Sequence, residues 1–453
     1  MSTDHGILAP AWAATGAAEL VGDHALLAAM LDTEVALAEA QAELGVIPAS
    51  AAEAIRAAAD PANLDPVALA EGVRETANPV VGFVGQLGQL TAAVDPAAAE
   101  YVHRGSTSQD ILDTALMLLC AATFDRITRD LLACAESLAG QVRRHRDTPM
   151  AGRTLTQHAV PVTFGLKAAT WLHLVLDAVE RVRRARAALP VSLGGAAGTL
   201  AAYQEYAGGD VDGTLRLPDL VAARLGLAPQ TLPWHGIRTP LADVASALLV
   251  TTGALGKLAE DVLVLSRTEI GEVTEEQAPG RGASSAMPQK HNPVYATLVA
   301  TAARQLPPVA VVLFQSMAVP DERSAGGWHA EWQPLRDCLR IAAGAAANAA
   351  RLAGALHVSP EAMAANLRLT RGAIVSERVN AVLAPTLGKV AAKRLLAAAS
   401  AEAERTGADL AAVLGSEVDV PAGLLDPAAY TGLSGPLADR AVARFEEVFK
   451  ESA

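Results

Sequence analysis

Two adjacent serines, Ser284 and Ser285, open the stretch of this sequence whose side chains are best suited to chemistry. The segment 282–293 reads GASSAMPQKHNP, so Lys290 and Asn292 follow the serine pair at short range. A serine hydroxyl is a poor base unless a cation and oriented backbone N–H groups depress its pKa. The spacing therefore predicts a hydroxyl and an ammonium that a loop brings together over an anionic substrate. A surface turn between helices is the alternative.

A second polar segment, 103–110, lies just ahead of the longest helical pattern and reads HRGSTSQD. Hydroxyls and backbone N–H groups at a helix N-terminus form a natural cradle for a carboxylate. The alternative is an N-cap cluster, a task that Ser108 or Asp110 would perform. The two interpretations are compatible.

Two further polar segments interrupt the helical pattern. Residues 152–163 contain His158, whose side chain is the one in that segment able to exchange protons near neutral pH; a hydrogen-bonded structural histidine is the alternative. Residues 321–332 interleave Trp, His and Glu and fit a structural helix cap or a pocket wall. The glycine-rich segment 192–199 lacks the G-x-G-x-x-G spacing and a preceding strand, so we expect close helix packing there instead of a dinucleotide site.

The composition argues against several classes of partner and compartment. Charged residues make up 19% of the chain and the net charge is −13, which disfavours a nucleic-acid partner but allows an acidic ligand where a few cations converge. The three cysteines stand in no metal-ligand spacing and suit a reducing cytoplasm. The N-terminus lacks a signal-peptide pattern, and no run of about 18 apolar residues avoids charge, Pro and Gly. We therefore expect a cytoplasmic protein with no membrane span and no metal site.

Long proline-free stretches with apolar residues at helical spacing predict an all-α helix bundle. The predicted helices cover residues 111–148, 162–189, 241–277, 294–306 and 335–359, and Pro307-Pro308 should kink or break the fourth. Helices this long and apolar on most faces need partners to cover them, which predicts a homo-oligomer. Prolines divide the flanking regions into shorter helices. We predict an N-terminal helical domain at 1–102, a central long-helix bundle at 103–345 and a C-terminal helical domain at 346–453.

The serine-pair segment resembles the signature loop of the fumarase/aspartase superfamily, G-S-S-x-M-P-x-K-x-N-P, and departs from it only at Ala283. The segments 103–110 and 152–163 come in the order and approximate spacing of the superfamily's other conserved regions, so the resemblance covers essentially the whole chain. It implies a three-domain all-α fold whose long central helices form the core of a homotetramer, with each active site built from three chains. No metal, flavin or nucleotide cofactor is implied.

The resemblance also implies roles for particular residues in a reversible elimination from a small, succinate-like polycarboxylate. Ser284 is the implied base, His158 is the general acid on the leaving-group side, and Lys290 holds the activated carboxylate of an enolic dianion. The implied substrate-binding residues are Asn78, His103, Thr107, Ser108, Gln157, Arg238, Ser285, Met287, Asn292 and Arg323.

Within the superfamily the chain most resembles the bacterial 3-carboxy-cis,cis-muconate cycloisomerases, which form a lactone in the β-ketoadipate pathway of aromatic-acid catabolism. The segment WHAEW at 328–332 is the most discriminating part of this resemblance. The resemblance therefore implies a lactonising enzyme in which Ser284 acts as proton donor.

Two departures from the cycloisomerase pattern leave the substrate open. Gln289 and His291 stand where the cycloisomerases often have His and Arg, and Ile237 and Thr239 stand where Gln and Asp are frequent. A nitrosuccinate lyase or another C–N lyase of the superfamily is the alternative enzyme. A non-catalytic structural relative is the alternative from a different class.

Overall fold

The computed structural model describes residues 6–276, 281–282, 287, 289–421 and 423–450. Most of these residues are helical, as the abundance of Ala and Leu favours. The helices are α1 Ala17–Leu20, α2 Asp23–Glu43, α3 Ala49–Ala58, α4 Pro66–Thr76, α5 Val80–Val94, α6 Ser108–Arg144, α7 Phe164–Ala187, α8 Ala201–Tyr206, α9 Val211–Leu225, α10 Thr239–Leu265, α11 Val294–Gln315, α12 Gly327–Gly354, α13 Pro360–Leu367, α14 Ser376–Leu387, α15 Lys389–Thr406, α16 Leu410–Gly415 and α17 Ser434–Lys450. The predicted all-α fold class is confirmed.

The long helices lie where the apolar spacing predicted them, with shifted ends. The helix predicted at 111–148 is α6, which has 37 residues and begins at Ser108. The helix predicted at 241–277 is α10, and it ends at Leu265. The prediction was too long because the apolar pattern continues into a turn and the short strand Val273–Glu275.

The prolines of α11 do not break the helix, whereas the alternative of a kink at Pro307-Pro308 stays a prediction. α11 runs from Val294 to Gln315 with Pro307 and Pro308 inside it. Each proline removes one helical hydrogen bond, yet buried neighbours on the same helix, Leu306 and Leu313, are 0% exposed. Burial of this apolar face keeps the segment helical despite the lost bonds.

α11 is the one described helix that is long and apolar enough to cross a membrane by length and composition alone. A core helix passes the same test. The expectation that the chain has no membrane span therefore stays a prediction.

Four short strands form two antiparallel pairs that the helical patterns did not predict. The strands are β1 Pro149–Thr154, β2 Gln157–Thr163, β3 Val273–Glu275 and β4 Leu356–Val358, and β1 pairs with β2 while β3 pairs with β4. Leu155 and Thr156 turn the first hairpin with φ of 48° and 71°, the left-handed values that a two-residue hairpin turn of type I′ requires. The register places His158 opposite Arg153.

The described residues divide into two compact units. One comprises residues up to 130 with 178–253 and 301–348, and the other comprises 131–177, 254–300 and 349 onwards. The helices α6, α7, α10, α11 and α12 each contribute residues to both units. Because this division follows compactness and not chain order, the three sequence domains stay a prediction. Each unit is described below by itself.

Candidate active site

The segment 103–110 forms a capped helix N-terminus in the first unit. α6 begins at Ser108, and Asp110 on its first turn accepts a hydrogen bond from the Thr107 N–H at 3.1 Å. Asp110 thereby reaches back to the helix end as the acidic residue of a capping box does. The half-buried Thr107 and Ser108 hydroxyls make no hydrogen bond to a described residue. Both hydroxyls are therefore available to an anion at the positive end of the helix dipole.

Asp110 is the centre of a buried network that fixes this helix end, and its side chain is 0% exposed. Besides the Thr107 N–H, its carboxylate contacts Ser106 Oγ at 3.3 Å, Gly194 N–H at 2.7 Å, Gly195 N–H at 3.0 Å, the Tyr203 hydroxyl at 3.0 Å and His235 Nε2 at 2.8 Å. Hydrogen bonds to a carboxylate are stronger than neutral ones. The network therefore holds the cradle in one geometry.

The glycine-rich segment 192–199 supplies two of those donors. A Cβ on Gly194 would lie 2.8 Å from His235 Cε1, so only glycine lets the backbone approach the histidine and Asp110 together. The segment approaches α6 closely enough to present backbone N–H groups to a buried carboxylate, a role beyond the close helix packing that the sequence predicted.

Arg323, a predicted substrate-binding residue, lies beside the cradle. Its Nε donates to Gln109 Oε1 at 2.8 Å, and its Nη2 donates to the Ala196 carbonyl at 3.2 Å. Gln109 is fully buried and donates in turn to the His235 carbonyl at 3.1 Å. These hydrogen bonds to Gln109 and Ala196 orient the guanidinium of Arg323. Because Arg323 is half-buried, its guanidinium remains partly accessible.

Arg238, another predicted substrate-binding residue, has surroundings that indicate a structural role instead. The side chain is 3% exposed. Its guanidinium contacts Asp113 Oδ2 at 2.7 Å and Glu331 Oε2 at 2.6 Å, and it forms a bidentate ion pair with each of these carboxylates. Burial alone would lower the pKa of Arg238, but the two carboxylates raise it above its usual value. The donors that a substrate would need are engaged by these carboxylates.

The segment 328–332 belongs to the same buried ion-pair cluster. Trp328 Nε1 donates to Asp113 Oδ1 at 3.0 Å, and Glu331 is 1% exposed. Burial raises the pKa of the Glu331 carboxyl, while the Arg238 guanidinium opposes that shift. The structural interpretation of this segment therefore fits better than a pocket wall for these two residues.

Asn78 and His103 are the remaining predicted residues of the first unit. Asn78 Oδ1 accepts the Val80 N–H at 3.0 Å, which caps the start of α5. His103 Nδ1 lies 2.6 Å from Glu34 Oε1, a carboxylate on α2. Asn78 thus has a structural task for its oxygen, whereas His103 is held by a buried acid.

His158, the predicted general acid, lies on β2 in the second unit. Burial, and then the charge of the neighbouring Arg153, lower the pKa of His158, while Glu272 acts in the opposite direction. Its Nδ1 is buried without a hydrogen-bond partner among the described residues. Gln157, the strand residue before it, is exposed. The ring is therefore neutral near pH 7, with a nitrogen left for a further partner.

Most of the described part of the signature segment is exposed. Ser284 and Ser285 lie outside the described residues, and Met287, Lys290 and Asn292 are exposed. The Asn292 N–H donates to the Gly282 carbonyl at 3.0 Å, which closes the base of the segment. A cavity of about 350 Å³ lies next to the base of this segment. Its polar lining residues include Ser266, Arg281, His291, Asn292 and His357.

Glu275 anchors the helix that follows this segment. Its two oxygens accept the Tyr295 N–H at 3.0 Å and the Ala296 N–H at 2.8 Å, two of the unpaired donors at the start of α11. Among the residues that the structure describes, no group of three or more His, Cys, Asp or Glu side chains is arranged to hold a metal ion.

The acidic residues that orient the predicted site were missed in the sequence. Glu34, Asp113 and Glu272 are all buried, and each pairs with a base far away in the chain. The available signal was an acid next to apolar residues, such as Glu34, which the run VALA at 35–38 follows, because a buried carboxylate needs a partner.

The family model described as lyase matches residues 13–307. The chain belongs to this family of lyases, the fumarase/aspartase superfamily. It is 56% identical to the nitrosuccinate lyase of Streptomyces davaonensis over 97% of this chain and 94% of that protein. It is 42% identical to the 3-carboxy-cis,cis-muconate cycloisomerase of Pseudomonas aeruginosa over 93% of this chain and 92% of that protein.

The crystal structure of the 3-carboxy-cis,cis-muconate lactonizing enzyme from Pseudomonas putida has a TM-score of 0.91 to this chain. It is 37% identical in sequence, and the match covers 98% of this chain and 100% of that one. Fold and sequence therefore agree on the family.

Proposed function

We propose that the chain is a lyase that eliminates nitrite from 2-nitrosuccinate to give fumarate. The observation that carries this proposal is the 56% identity to a nitrosuccinate lyase over nearly the whole chain, against 42% to a cycloisomerase. The sequence alone favoured the cycloisomerase, with nitrosuccinate lyase as its alternative, and we reverse that order. The departures from the cycloisomerase pattern around Lys290 and Arg238 fit a different substrate.

The chemistry needs a base and an anion site but no protonated leaving group. Ser284 takes the proton from the carbon between the carboxylate and the nitro-bearing carbon, which leaves an enolic dianion that Lys290 stabilises. The electron pair then forms the carbon–carbon double bond, the carbon–nitrogen bond breaks, and the nitro group leaves with its bonding electrons as nitrite. Nitrite is stable as an anion at neutral pH, so a neutral His158 suffices as a hydrogen-bond donor to it.

The cradle at the start of α6 supplies the carboxylate site in this proposal. Thr107 and Ser108 offer hydroxyls without a described protein partner, and Arg323 offers a guanidinium oriented by Gln109. An anion at a helix N-terminus gains from both the free N–H groups and the dipole.

The second candidate is lactonisation of 3-carboxy-cis,cis-muconate, favoured by the TM-score of 0.91 to a lactonizing enzyme. A substrate carboxylate would add to a double bond, and Ser284 would protonate the neighbouring carbon. Both candidates place a polycarboxylate against the same cationic residues.

The test offers purified full-length protein each substrate separately. Release of nitrite in equal amount to fumarate, measured by a diazo colour reaction and by ultraviolet absorbance, supports the proposal. Loss of the muconate absorbance without activity on nitrosuccinate overturns it in favour of the cycloisomerase. Inactivity on both overturns the proposal in favour of another C–N lyase of the superfamily or a non-catalytic relative. Ser284→Ala should abolish the activity, whereas the exposed Ser416→Ala serves as the matched control.

We further propose a cytoplasmic homotetramer in which three chains contribute to each site, as the superfamily resemblance implies. Exposed apolar residues of the first unit, Val311, Phe314 and Met317, support burial against another copy, since they are 47%, 39% and 40% exposed in a single chain. Light scattering that gave the mass of a single chain would contradict the shared site.

A further inference from the structure

Both carboxylate oxygens of Glu34 contact His103. Oε2 accepts the His103 backbone N–H at 3.1 Å, and Oε1 lies 2.6 Å from the ring Nδ1. The Glu34 side chain is 1% exposed and that of His103 is 17% exposed. One buried acid thus fixes the backbone and the ring of the same residue.

His103 has a backbone conformation that needs such support. Its φ is 58°, a left-handed value that costs a non-glycine residue free energy and persists where the surroundings impose it. The His103 carbonyl accepts the Ser106 N–H at 3.2 Å. The residue therefore begins the turn that leads to Thr107 and Ser108.

The charged groups around the imidazole favour its protonated form. Burial alone would lower the pKa of His103, but the charge and hydrogen bond of Glu34, with a smaller effect of Asp110, raise it overall. Arg104, the neighbouring cation, stacks between the rings of Tyr101 and Tyr206, with its guanidinium carbon 4.6 Å and 4.4 Å from their centroids.

The second ring nitrogen of His103, Nε2, has no hydrogen bond to a described residue. In a neutral ring whose Nδ1–H faces Glu34, Nε2 carries a lone pair and repels an anion. In the imidazolium, Nε2–H is a charged donor. The protonation state therefore decides whether His103 attracts or repels a carboxylate.

We propose that Glu34 is a positioning residue that keeps His103 as an imidazolium, so that its Nε2–H binds one carboxylate of the substrate beside the Thr107 and Ser108 hydroxyls. This inference rests on the proposed function in that the ligand is a succinate-like dianion. Glu34 acts through His103 and does not touch the substrate.

Binding of unreactive succinate tests the proposal separately from the reaction, because it involves no leaving group. Calorimetry on the full-length protein should show succinate affinity that falls as pH rises through the raised pKa of His103. Glu34→Gln keeps the shape but removes the charge, so we expect affinity at pH 7 to fall about tenfold. The pH dependence should move to lower pH.

Glu43→Gln is the matched control, since Glu43 is an exposed carboxylate on the same helix, paired with Arg224. It should leave succinate affinity unchanged. For turnover of whichever substrate proves active, Glu34→Gln should raise KM with little change in kcat, a split that a general loss of structure would not produce.

Histidine resonances of the unmodified protein keep the proposal testable if Glu34→Gln does not fold. The His103 signal, assigned by its loss in His103→Gln, should report an imidazolium at pH 7 and should titrate at still higher pH with succinate bound. A neutral His103 at pH 7, or a titration indifferent to succinate, would overturn the proposal. Failure of nitrosuccinate turnover alone would leave it standing.

Discussion

Arg153 and Glu272 form a bidentate ion pair although they are 119 residues apart in the sequence. The distances are 2.9 Å from Nη1 to Oε2 and 2.7 Å from Nη2 to Oε1. Glu272 is 0% exposed, and its Oε1 also accepts from Asn366 Nδ2 at 2.8 Å. Arg153 lies opposite His158 in the β1–β2 hairpin. The pair therefore fixes the strand that carries the candidate acid.

Arg153→Gln should strongly destabilise the protein. It leaves the buried Glu272 charge without its cation, and breaking such a pair costs about 3 to 5 kcal/mol. Urea unfolding at pH 7 and equal chain concentration measures the loss. Arg405→Gln is the control, because Arg405 and Glu402 also form a bidentate ion pair, but an exposed one. An equal loss in both variants would refute the role of burial.

His158 should titrate below its ordinary value of about 6.5. Burial and then Arg153 lower its pKa, so the folded chain takes up this proton at lower pH than the unfolded chain. The stability that neutral His158 contributes is therefore complete above about 6.5 and is lost as pH falls through the lowered pKa. Histidine resonances, assigned with His158→Asn, measure the pKa. Arg153→Gln should raise it if that variant folds; an unchanged value would exclude the effect of Arg153.

Asp110→Asn should disrupt the cradle. The amide nitrogen replaces one of the two oxygens and cannot accept the hydrogen bonds made there, which is either the bond from Gly194 at Oδ1 or the bonds from Gly195 and Tyr203 at Oδ2. Loss of a buried hydrogen-bonded charge costs about 3 to 5 kcal/mol. We expect a lower thermal midpoint and a higher KM. Asp65→Asn is the control, since Asp65 is an exposed N-cap whose role asparagine fills equally well. Wild-type KM in a folded Asp110→Asn protein would contradict the proposed cradle.

The helices were predictable because their signal is local. Apolar residues at helical spacing located α6 and α10 without any long-range information. The hairpin turn at Leu155 and Thr156 was not predictable from the sequence, because leucine and threonine are uncommon at turn positions with positive φ. Its position depends on tertiary contacts, including the ion pair of Arg153.

The site was predictable where a hydroxyl or base stands in a polar segment, as Thr107, Ser108 and His158 do. The acids that orient such groups find their partners at long range: Glu34 meets His103 across 69 residues. Arg238 is the opposite case. Its place in a polar motif suggested a contact with a ligand, but in the structure it forms ion pairs with Asp113 and Glu331. One sequence carries no pairing information at that distance.

Mixing two inactive variants should restore activity if the proposed three-chain site is correct. Ser284→Ala and His158→Asn each remove one group from every site of a homotetramer. If the two groups of a site come from different chains, random reassembly of an equal mixture gives both intact groups in about a quarter of the sites, since each is intact with a probability of about one half. Reassembly from mild denaturant followed by the nitrite assay measures the recovery. Each variant reassembled alone is the control, and a mixture that stays as inactive as its components would place both groups of a site in one chain.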